Sequence, residues 1–412
     1  MAAGTAAVTP DRRDVVILGG GLVGMSLALA LAKAGISTHV LDAADPAAQT
    51  AQGFDGRASA ISTASWNMFA NIGLAEQLEP YGCPIDSIAV SDQLKPGELH
   101  FRPDPEEGSL GRMFANRQLR IALFDAARDE PLIALHSNSR ILSRERTEFG
   151  VVATRDDGAR FAGSLLVAAE GRRSPTRDAA GLTVAKWDYR HRALICGLTH
   201  EKPHGNVAWE IFYPAGPFAL LPMLDDDQGR HRTALVWTVA EKDADAWLKL
   251  PARAFEAEAQ KKMGDVLGRV ALDGPRSSFP LGFHHAPTIV AERLALVGDA
   301  AHGIHPIAGQ GLNLGLRDVA ALTDVLADGM RLGLEPGDAQ LLKRYQDWRA
   351  LDDFSVALAT DSLTWIFGVP GKTASAVRRA GMSAIDRVAP LKRWFMDEAR
   401  GVSGTLPALL QG

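Results

Sequence analysis

The segment Val15 to Asp42, VVILGGGLVGMSLALALAKAGISTHVLD, decides the fold. Val15 to Leu18 form a short, continuous apolar run, the pattern of a strand buried on both faces. Gly19-x-Gly21-x-x-Gly24 then makes a tight turn, and Met25 to Ala34 supply a small-residue helix able to lie close to a sheet. The first glycine permits the turn, the second lets backbone approach a pyrophosphate, and the third removes a side chain where helix meets strand. The phosphate then rests on the helix N-terminus. Gly35 ends the helix, Ser37 to Leu41 read as the second strand, and Asp42 stands where an acid can accept a ribose 2′-OH. A lone GxGxxG means little. With a strand before it, a helix after it and an acid in place, Gly19, Gly21, Gly24 and Asp42 read as a dinucleotide site, without choosing between NAD and FAD.

Arg12-Arg13 ahead of the apolar run Val15 to Ala34 imitates an export signal or a membrane anchor. The glycines in mid-run and the missing cleavage site speak against both, so residues 1–13 are expected to be a disordered leader. The 412 residues, 46% hydrophobic and 23% charged, suit a soluble globular protein with a large core. A net charge of -5 and a pI near 6.1 leave no electrostatic footprint for nucleic acid. Cys83 and Cys196, far apart and in no ligand spacing, argue against disulfides and a zinc site and make the cytoplasm the default compartment. No metal is expected.

A second decisive stretch is GDAAHGIHPIAGQGLNLGLRD, Gly298 to Asp318. Leu294 to Val297 read as a buried strand, so Gly298-Asp299 falls where the chain turns, and Asp299 there can hold a hydroxyl. Pro306, Gly309 and Gly311 lead into Leu312 and Asn313, a helix start whose exposed N–H groups favour negative charge. A hydroxyl chain at one end and a ring that becomes anionic at the other describe a flavin; an ordinary strand, loop and helix is the plain alternative.

Three further segments offer cations or acids. Asp55-Gly56-Arg57 precedes the small-residue run Ala58 to Thr63, read as the start of a helix, with Arg57 placed to reach a phosphate or to sit at the surface. Arg117 opens the helical pattern ANRQLRIALFDAA and is either a phosphate ligand or a surface salt-bridge former. Leu165 to Ala169 are a strand, after which Glu170, Gly171, Arg172, Arg173, Ser174 and Arg177 form a loop that can face a pyrophosphate or solvent.

In order and spacing, these three motifs resemble the fingerprints of the single-component FAD-dependent aromatic hydroxylases. HPIAGQGLNLGLRDVAAL from His305 to Leu322, DGRASAIS from Asp55, Arg349, Asp352, Thr360-Asp361 and the tail from Phe395 look like the ubiquinone-biosynthesis hydroxylase branch. Glu170 departs from the family's usual Asp, which weakens the expected contact of this loop with nicotinamide. The resemblance implies an α/β fold in which an FAD/NAD(P)-binding Rossmann-like domain carries an inserted antiparallel β-sheet substrate domain and C-terminal helices, as in para-hydroxybenzoate hydroxylase. The expected division is 14–190 and 286–335 for FAD, 191–285 for the β-rich substrate domain, and 336–412 for a C-terminal helical region.

The activity implied is that of an NAD(P)H-consuming monooxygenase. It hydroxylates the aromatic ring of a polyprenylated phenol or benzoquinol through a flavin C4a-hydroperoxide, with FAD as cofactor, NADH or NADPH as reductant and molecular oxygen as co-substrate. Rival readings are a reductase of prenyl chains on the same fold and a non-catalytic FAD-binding subunit of a biosynthetic complex. Between 191 and 285, runs such as Leu194 to Thr199, Val207 to Phe212, Phe218 to Leu221 and Ala234 to Val239 read as strands. Phe212, Phe218, Leu220, Leu221 and Met223 can line a greasy pocket or simply form sheet core. His302 and His305 are conceivable general bases, but a structural hydrogen bond suits them better, and no catalytic residue is assigned. A helix is expected from Ala339 to about Ala359. Trp365, Phe367, Lys392, Arg393, Trp394 and Phe395 mix aromatics with cations, as core or as a peripheral contact with the inner face of a membrane or with other ubiquinone-biosynthesis proteins.

Overall fold

The computed structural model describes residues 10–51, 54, 56–95, 98–303, 310–350 and 389–412. Val15–Leu18, no more than 1% exposed, lies inside a six-stranded sheet. The order across it is Val290–Ala291, Leu294–Leu296, Leu165–Ala168, Val15–Leu18, Thr38–Leu41 and Ile133–His136. All pairs are parallel except the outermost 290–291 with 294–296. Parallel strands covered on both faces must be apolar throughout, which is why Val15–Leu18 and Leu165–Ala168 show no alternation.

One face carries the helix Leu22–Lys33, which packs on the helices Asn116–Asp129 and Gln310–Arg331. Its small residues are buried along the whole span from Gly24 to Ala32. The other face is covered by a four-stranded sheet of Asp11–Arg12, Arg160–Gly163, Gly150–Arg155 and Ile141–Thr147, which adds Val151, Ala153 and Phe161 to the same core.

A second large sheet has eight strands in the order His302–Gly303, Val270–His285, Ala185–His200, His231–Ala240, Gly216–Met223, Val207–Tyr213, Ser87–Asp92 and Leu99–Phe101. It reaches outside the span 191–285, because Ser87–Asp92 pairs in parallel with Val207–Tyr213. Within that span the chain also forms the helices Ala244–Lys249 and Ala252–Met263. Strand alternation separates the proposed pocket residues. Phe218 and Leu220 turn toward those helices, with Phe255, Ala259 and Met263, whereas Leu221 and Met223 face Cys83, Ile85 and Met113 of a small three-stranded sheet. Phe218 and Leu220 are therefore sheet core.

The run Ala58 to Ser62, expected to begin a helix, is a strand paired with Gly111–Ala115. Small residues tolerate either state, and the cross-strand partner decides; the helix starts one residue later, at Thr63, with Ser62 Oγ accepting from Ser65 N. Residues 339–350 are helical as expected, and Asp352, Thr360-Asp361, Trp365 and Phe367 lie outside the described residues. In the helix Ala389–Arg400, Phe395 turns toward Phe101 while Trp394 is 43% exposed. The tail beyond it is tied down by Arg317, which donates to the carbonyls of Gly401 and Ser403.

One histidine pair at the edge of the core, His39 buried and His136 half-buried, makes stability depend on pH. His39 Nε2–H donates to the Asp11 carbonyl, which leaves Nδ1 to accept from His136 Nε2–H at 3.1 Å. Burial, then the facing His39 and Arg155, lower the His136 pKa to about 4. The unfolded chain therefore binds the proton first, and the pair's stabilisation, complete above the ordinary histidine pKa, is lost as pH falls from there toward about 4. Thermal unfolding followed by circular dichroism should show Tm dropping across this window, with His136→Phe flattening the slope; an unchanged slope would remove the pair from the account.

Candidate flavin site

At the glycine turn, each glycine meets a different constraint. Gly19 has φ +104°, and a Cβ there would lie 2.4 Å from the Ala169 carbonyl oxygen. A Cβ on Gly24 would lie 1.9 Å from the Gly19 carbonyl oxygen, so helix and strand end touch through backbone. A Cβ on Gly21 would meet nothing within 4 Å, so that edge of the turn is open. It opens on a shallow cleft lined by Gly20, Gly21, Asp42, Thr50, Arg120 and Phe124, among others. The residues fit the adenosine half of a dinucleotide: a bare backbone edge, a carboxylate, a guanidinium and an aromatic ring. Asp42 closes the turn by accepting from Gly20 N at 2.5 Å and Ala44 N at 2.7 Å.

Arg57 is joined by backbone to the start of the helix Asn116–Asp129, where Asn116 N donates to the Arg57 carbonyl at 3.0 Å. Arg117 Nε–H is directed at the carbonyls of Thr50 and Ala51, bracing the rim of the cleft. The guanidinium that lines the cleft from this helix is Arg120, one turn on, a residue outside the sequence motifs. Its i+3 spacing from Arg117 was the available signal.

Glu170 is engaged by its own loop and by the strand Ile141–Thr147. It accepts from Arg144 at 3.2 Å, from Ser174 Oγ at 2.7 Å and from Thr176 N at 3.1 Å. Ser174 in turn caps the short helix Pro175–Ala179. The next residue, Gly171, adopts φ +77°. Arg177 is buried and donates to the carbonyls of Arg172 and Ala300, so this loop is bolted to the Gly298 turn. Arg173 is exposed.

Gly298, at φ +60°, begins a single 3-10 turn that leaves the Asp299 side chain exposed. Above it runs the helix Gln310–Arg331, so close that a Cβ on Gly315 would lie 3.1 Å from Gly298 Cα and 2.8 Å from Val23. Val23 belongs to the first turn of the helix after Gly21, so the two helix starts and the Gly298 turn share one contact. Gly311 and Leu312 stand in the first turn, but Asn313 is turned inward: its Oδ1 accepts from Ser62 N and its Nδ2 donates to the Ala60 carbonyl. Its side chain fastens the helix to the strand Ala58–Ser62, leaving only its backbone for a ligand. His305, Pro306 and Gly309 lie outside the described residues.

The turn is held from behind by groups that spacing did not reveal. Asp318, wholly buried, accepts from Gly298 N at 2.7 Å, from His302 Nε2 at 2.6 Å and from Arg349 Nε at 2.6 Å. Burial pushes its carboxyl up, but His302, Arg349 and these hydrogen bonds pull it further down, so it stays below the usual carboxylate range. His302 thus makes a structural bond and is too buried for work on a substrate. His284 Nε2–H donates to the Asp299 carbonyl at 2.7 Å, and burial lowers its pKa.

Residues 12–352 match the FAD binding domain family. Ubiquinone hydroxylase UbiL of Rhodospirillum rubrum is 42% identical, covering 94% of this chain and 89% of that protein. The chain belongs to the FAD-dependent hydroxylase family, in its ubiquinone-biosynthesis branch. As a member of this family it is an FAD-dependent monooxygenase. The 3-demethoxyubiquinol 3-hydroxylase of Escherichia coli is 31% identical, covering 96% of this chain and 100% of that protein. Among solved structures, p-nitrophenol 4-monooxygenase PnpA of Pseudomonas putida aligns with a TM-score of 0.79 at 18% identity, over 96% of this chain and 99% of that one. The flavoprotein fold is that of the para-hydroxybenzoate hydroxylase type.

Two outcomes test this flavin site. Asp299→Ala removes a charged acceptor, so the FAD dissociation constant, read by flavin fluorescence, should rise about tenfold or more. Asp318→Asn leaves Arg349 buried without its counter-charge and should cost about 3–5 kcal/mol in denaturant unfolding. Because the Asp318 pKa is depressed on folding, its contribution is complete above the ordinary carboxylate range and is lost as pH falls through the folded value. The Asn variant should lose that part of the acid dependence.

Proposed function

We propose that this monooxygenase hydroxylates the aromatic ring of a prenylated phenol or benzoquinol, consuming NADH or NADPH and molecular oxygen. Bound FAD supplies the redox chemistry, accepting reducing equivalents and activating oxygen for transfer to the ring. The carrying observation is the shared contact of Val23, Gly298 and Gly315, which joins the cleft beside Asp42 to the helix start at Gln310 as one continuous cradle.

In this reading residues 14–190 and 286–335 hold FAD, and 191–285, with the strands Ser87–Asp92 and Leu99–Phe101, roofs it. Gly19, Gly21 and Gly24 admit the pyrophosphate to the helix N-terminus, Asp42 and Arg120 border the adenosine, and Arg57 and Arg117 brace that end. Glu170 and Gly171 shape the loop beside it. Asp299 accepts from the ribityl hydroxyls, and the backbone of Gly311, Leu312 and Asn313, with Gly309 and Pro306 before them, faces the ring. A helix start there favours negative charge on the ring by about 0.3–1 kcal/mol. Leu221 and Met223 are packed with Cys83, Ile85 and Met113 between the large sheet and the three-stranded sheet, the apolar core beside which a greasy substrate is proposed to lie.

No helix among the described residues is long and apolar enough to cross a membrane. Trp394, exposed beside Lys392 and Arg393 on the helix Ala389–Arg400, supports a peripheral contact at the inner face of the cytoplasmic membrane. Neighbouring proteins of the same pathway are the other partners proposed.

The test is direct. Purified protein should carry FAD, and incubation with NADH or NADPH, a prenylated phenol and ¹⁸O₂ should give a product one labelled oxygen heavier by mass spectrometry. Folded protein that binds no flavin, or a product without the label, refutes the assignment.

A further inference from the structure

Hydroxylation of a phenol is helped by a base at the ring hydroxyl, and the histidines around the Gly298 turn are already committed. His302 is held by Asp318, and His284 Nε2–H by the Asp299 carbonyl. The large sheet carries another. His191, on the strand Ala185–His200, stands directly opposite Leu281 on one side and Ala240 on the other. Pairing is regular from His191 to Ile195, so alternation puts His191 and Ala193 on one face with Thr238, Ala240, Phe279 and Leu281. This is the face that also bears Ala234 and Leu221, away from the helices Ala244–Lys249 and Ala252–Met263, toward which Trp237 and Val239 turn. Two positions beyond Leu281, Phe283 packs against Leu314, near the start of the helix Gln310–Arg331. His191 therefore lies on the face turned to the helix start assigned to the flavin ring.

Thr238 marks the same spot independently. It is 2% exposed, and its Oγ1 is buried with no hydrogen-bond partner among the described residues. Its methyl Cγ2 occupies the space beside bare Gly216, 2.4 Å from where a Cβ there would stand. A buried hydroxyl left unmatched is costly, and a ligand oxygen would match it. Thr238 pairs with Ala193, which makes His191 its diagonal neighbour at about 7–8 Å, with two alanines, Ala193 and Ala240, at the other corners. Small corners leave room above the sheet between hydroxyl and imidazole. The His191 ring is half-buried and has no hydrogen-bond partner among the described residues. Burial lowers its pKa by more than Asp188, at the bulge in its own strand, raises it. Of the flanking strands, one presents Leu281 and the other Ala240, with Glu241 next in line. Near neutral pH the imidazole is thus uncharged and able to accept a proton.

We propose that His191 is the base that takes the proton of the substrate's ring hydroxyl, and that Thr238 donates a hydrogen bond to the same oxygen. This rests on the phenol-hydroxylating reading above. The phenol O–H bond breaks, its proton passes to the imidazole, and the electron pair left on oxygen enriches the ring carbons ortho and para to it. One of these carbons bonds to an oxygen atom drawn from O₂. The hydrogen on that carbon leaves as a proton, which restores the aromatic ring, and the imidazolium returns its proton to the original ring oxygen. Two electrons from NADH or NADPH, passed through FAD, balance the step, and the second oxygen atom leaves as water. Thr238 holds the negative oxygen in place while the proton is away from it.

The experiment uses FAD-loaded protein and a prenylated phenol, with ¹⁸O₂ and NADH or NADPH. Single-turnover mass spectrometry gives the hydroxylation rate across pH, and equilibrium titrations give the FAD and phenol affinities. In the parent the rate should fall as pH drops through the His191 pKa, which lies below the ordinary histidine value. His191→Gln should slow hydroxylation about a hundredfold and abolish that acid limb, while FAD and phenol affinities and the anaerobic rate of flavin reduction stay within about threefold. Thr238→Val, of the same shape without the hydroxyl, should weaken phenol binding about fivefold and leave FAD binding alone. An acid limb that persists in His191→Gln overturns the base, and so does hydroxylation within about threefold of the parent. Loss of FAD from that variant also overturns it, because it would give His191 a part in the fold instead. Unchanged phenol affinity in Thr238→Val overturns the pairing of the two residues. Parent protein that puts no labelled oxygen on the phenol overturns the reading itself.

Discussion

Everything around the Gly298 turn depends on one buried carboxylate. Asp318 collects the Gly298 N–H, His302 and Arg349 from three separate stretches of chain, with no solvent on any side. A carboxylate placed there alone would be expelled or protonated; ringed by donors, it becomes the point through which the turn, the long helix and the helix over 339–350 are fixed relative to one another. Gly298 can hold its left-handed conformation because its N–H has this partner. The Asp299 side chain then faces outward because its neighbour's backbone is anchored inward.

The same logic of supports behind a bare surface recurs along the cleft. Asp42 spends its oxygens on Gly20 and Ala44, Glu170 on its own loop, and Arg177 on the Ala300 carbonyl. Charged side chains thus hold backbone in place, and backbone N–H groups and glycine edges remain exposed to a ligand, with Arg120 and Asp299 beside them. That arrangement suits a cofactor with a pyrophosphate at one end and an electron-accepting ring at the other, since oriented peptide dipoles need no reorganisation when the charge on the ring changes.

How much of this could be read from the sequence follows from the range of each interaction. The strand, turn, helix and acid of 15–42 were legible because their constraints are local: sterics at Gly19 and Gly24, a continuous apolar run, a fixed spacing to Asp42. The Gly298 turn was legible for the same reason. Asp318 with Arg349, Arg177 with Ala300 and Phe283 with Leu314 join residues 31, 123 and 31 positions apart, and no periodicity marks them. The run 58–62 does not show its strand in sequence because small residues carry little preference, and its strand partner lies about fifty residues on. Asn313, expected at the ring, went to a backbone link that only the folded sheet creates.

The strand order has a consequence for how the protein is made. Val15–Leu18 finds Thr38–Leu41 almost at once, but its other edge waits for Leu165–Ala168, and that strand waits for Leu294–Leu296. At about 5–20 residues per second on the ribosome, the first gap lasts roughly 7–30 s, and the second nearly as long. Through that interval a wholly apolar strand has an open edge, and the halves of the nucleotide cradle have not met. A nascent chain therefore carries an unpaired apolar strand edge for much of its synthesis, and the cradle is complete only after the Gly298 turn has emerged.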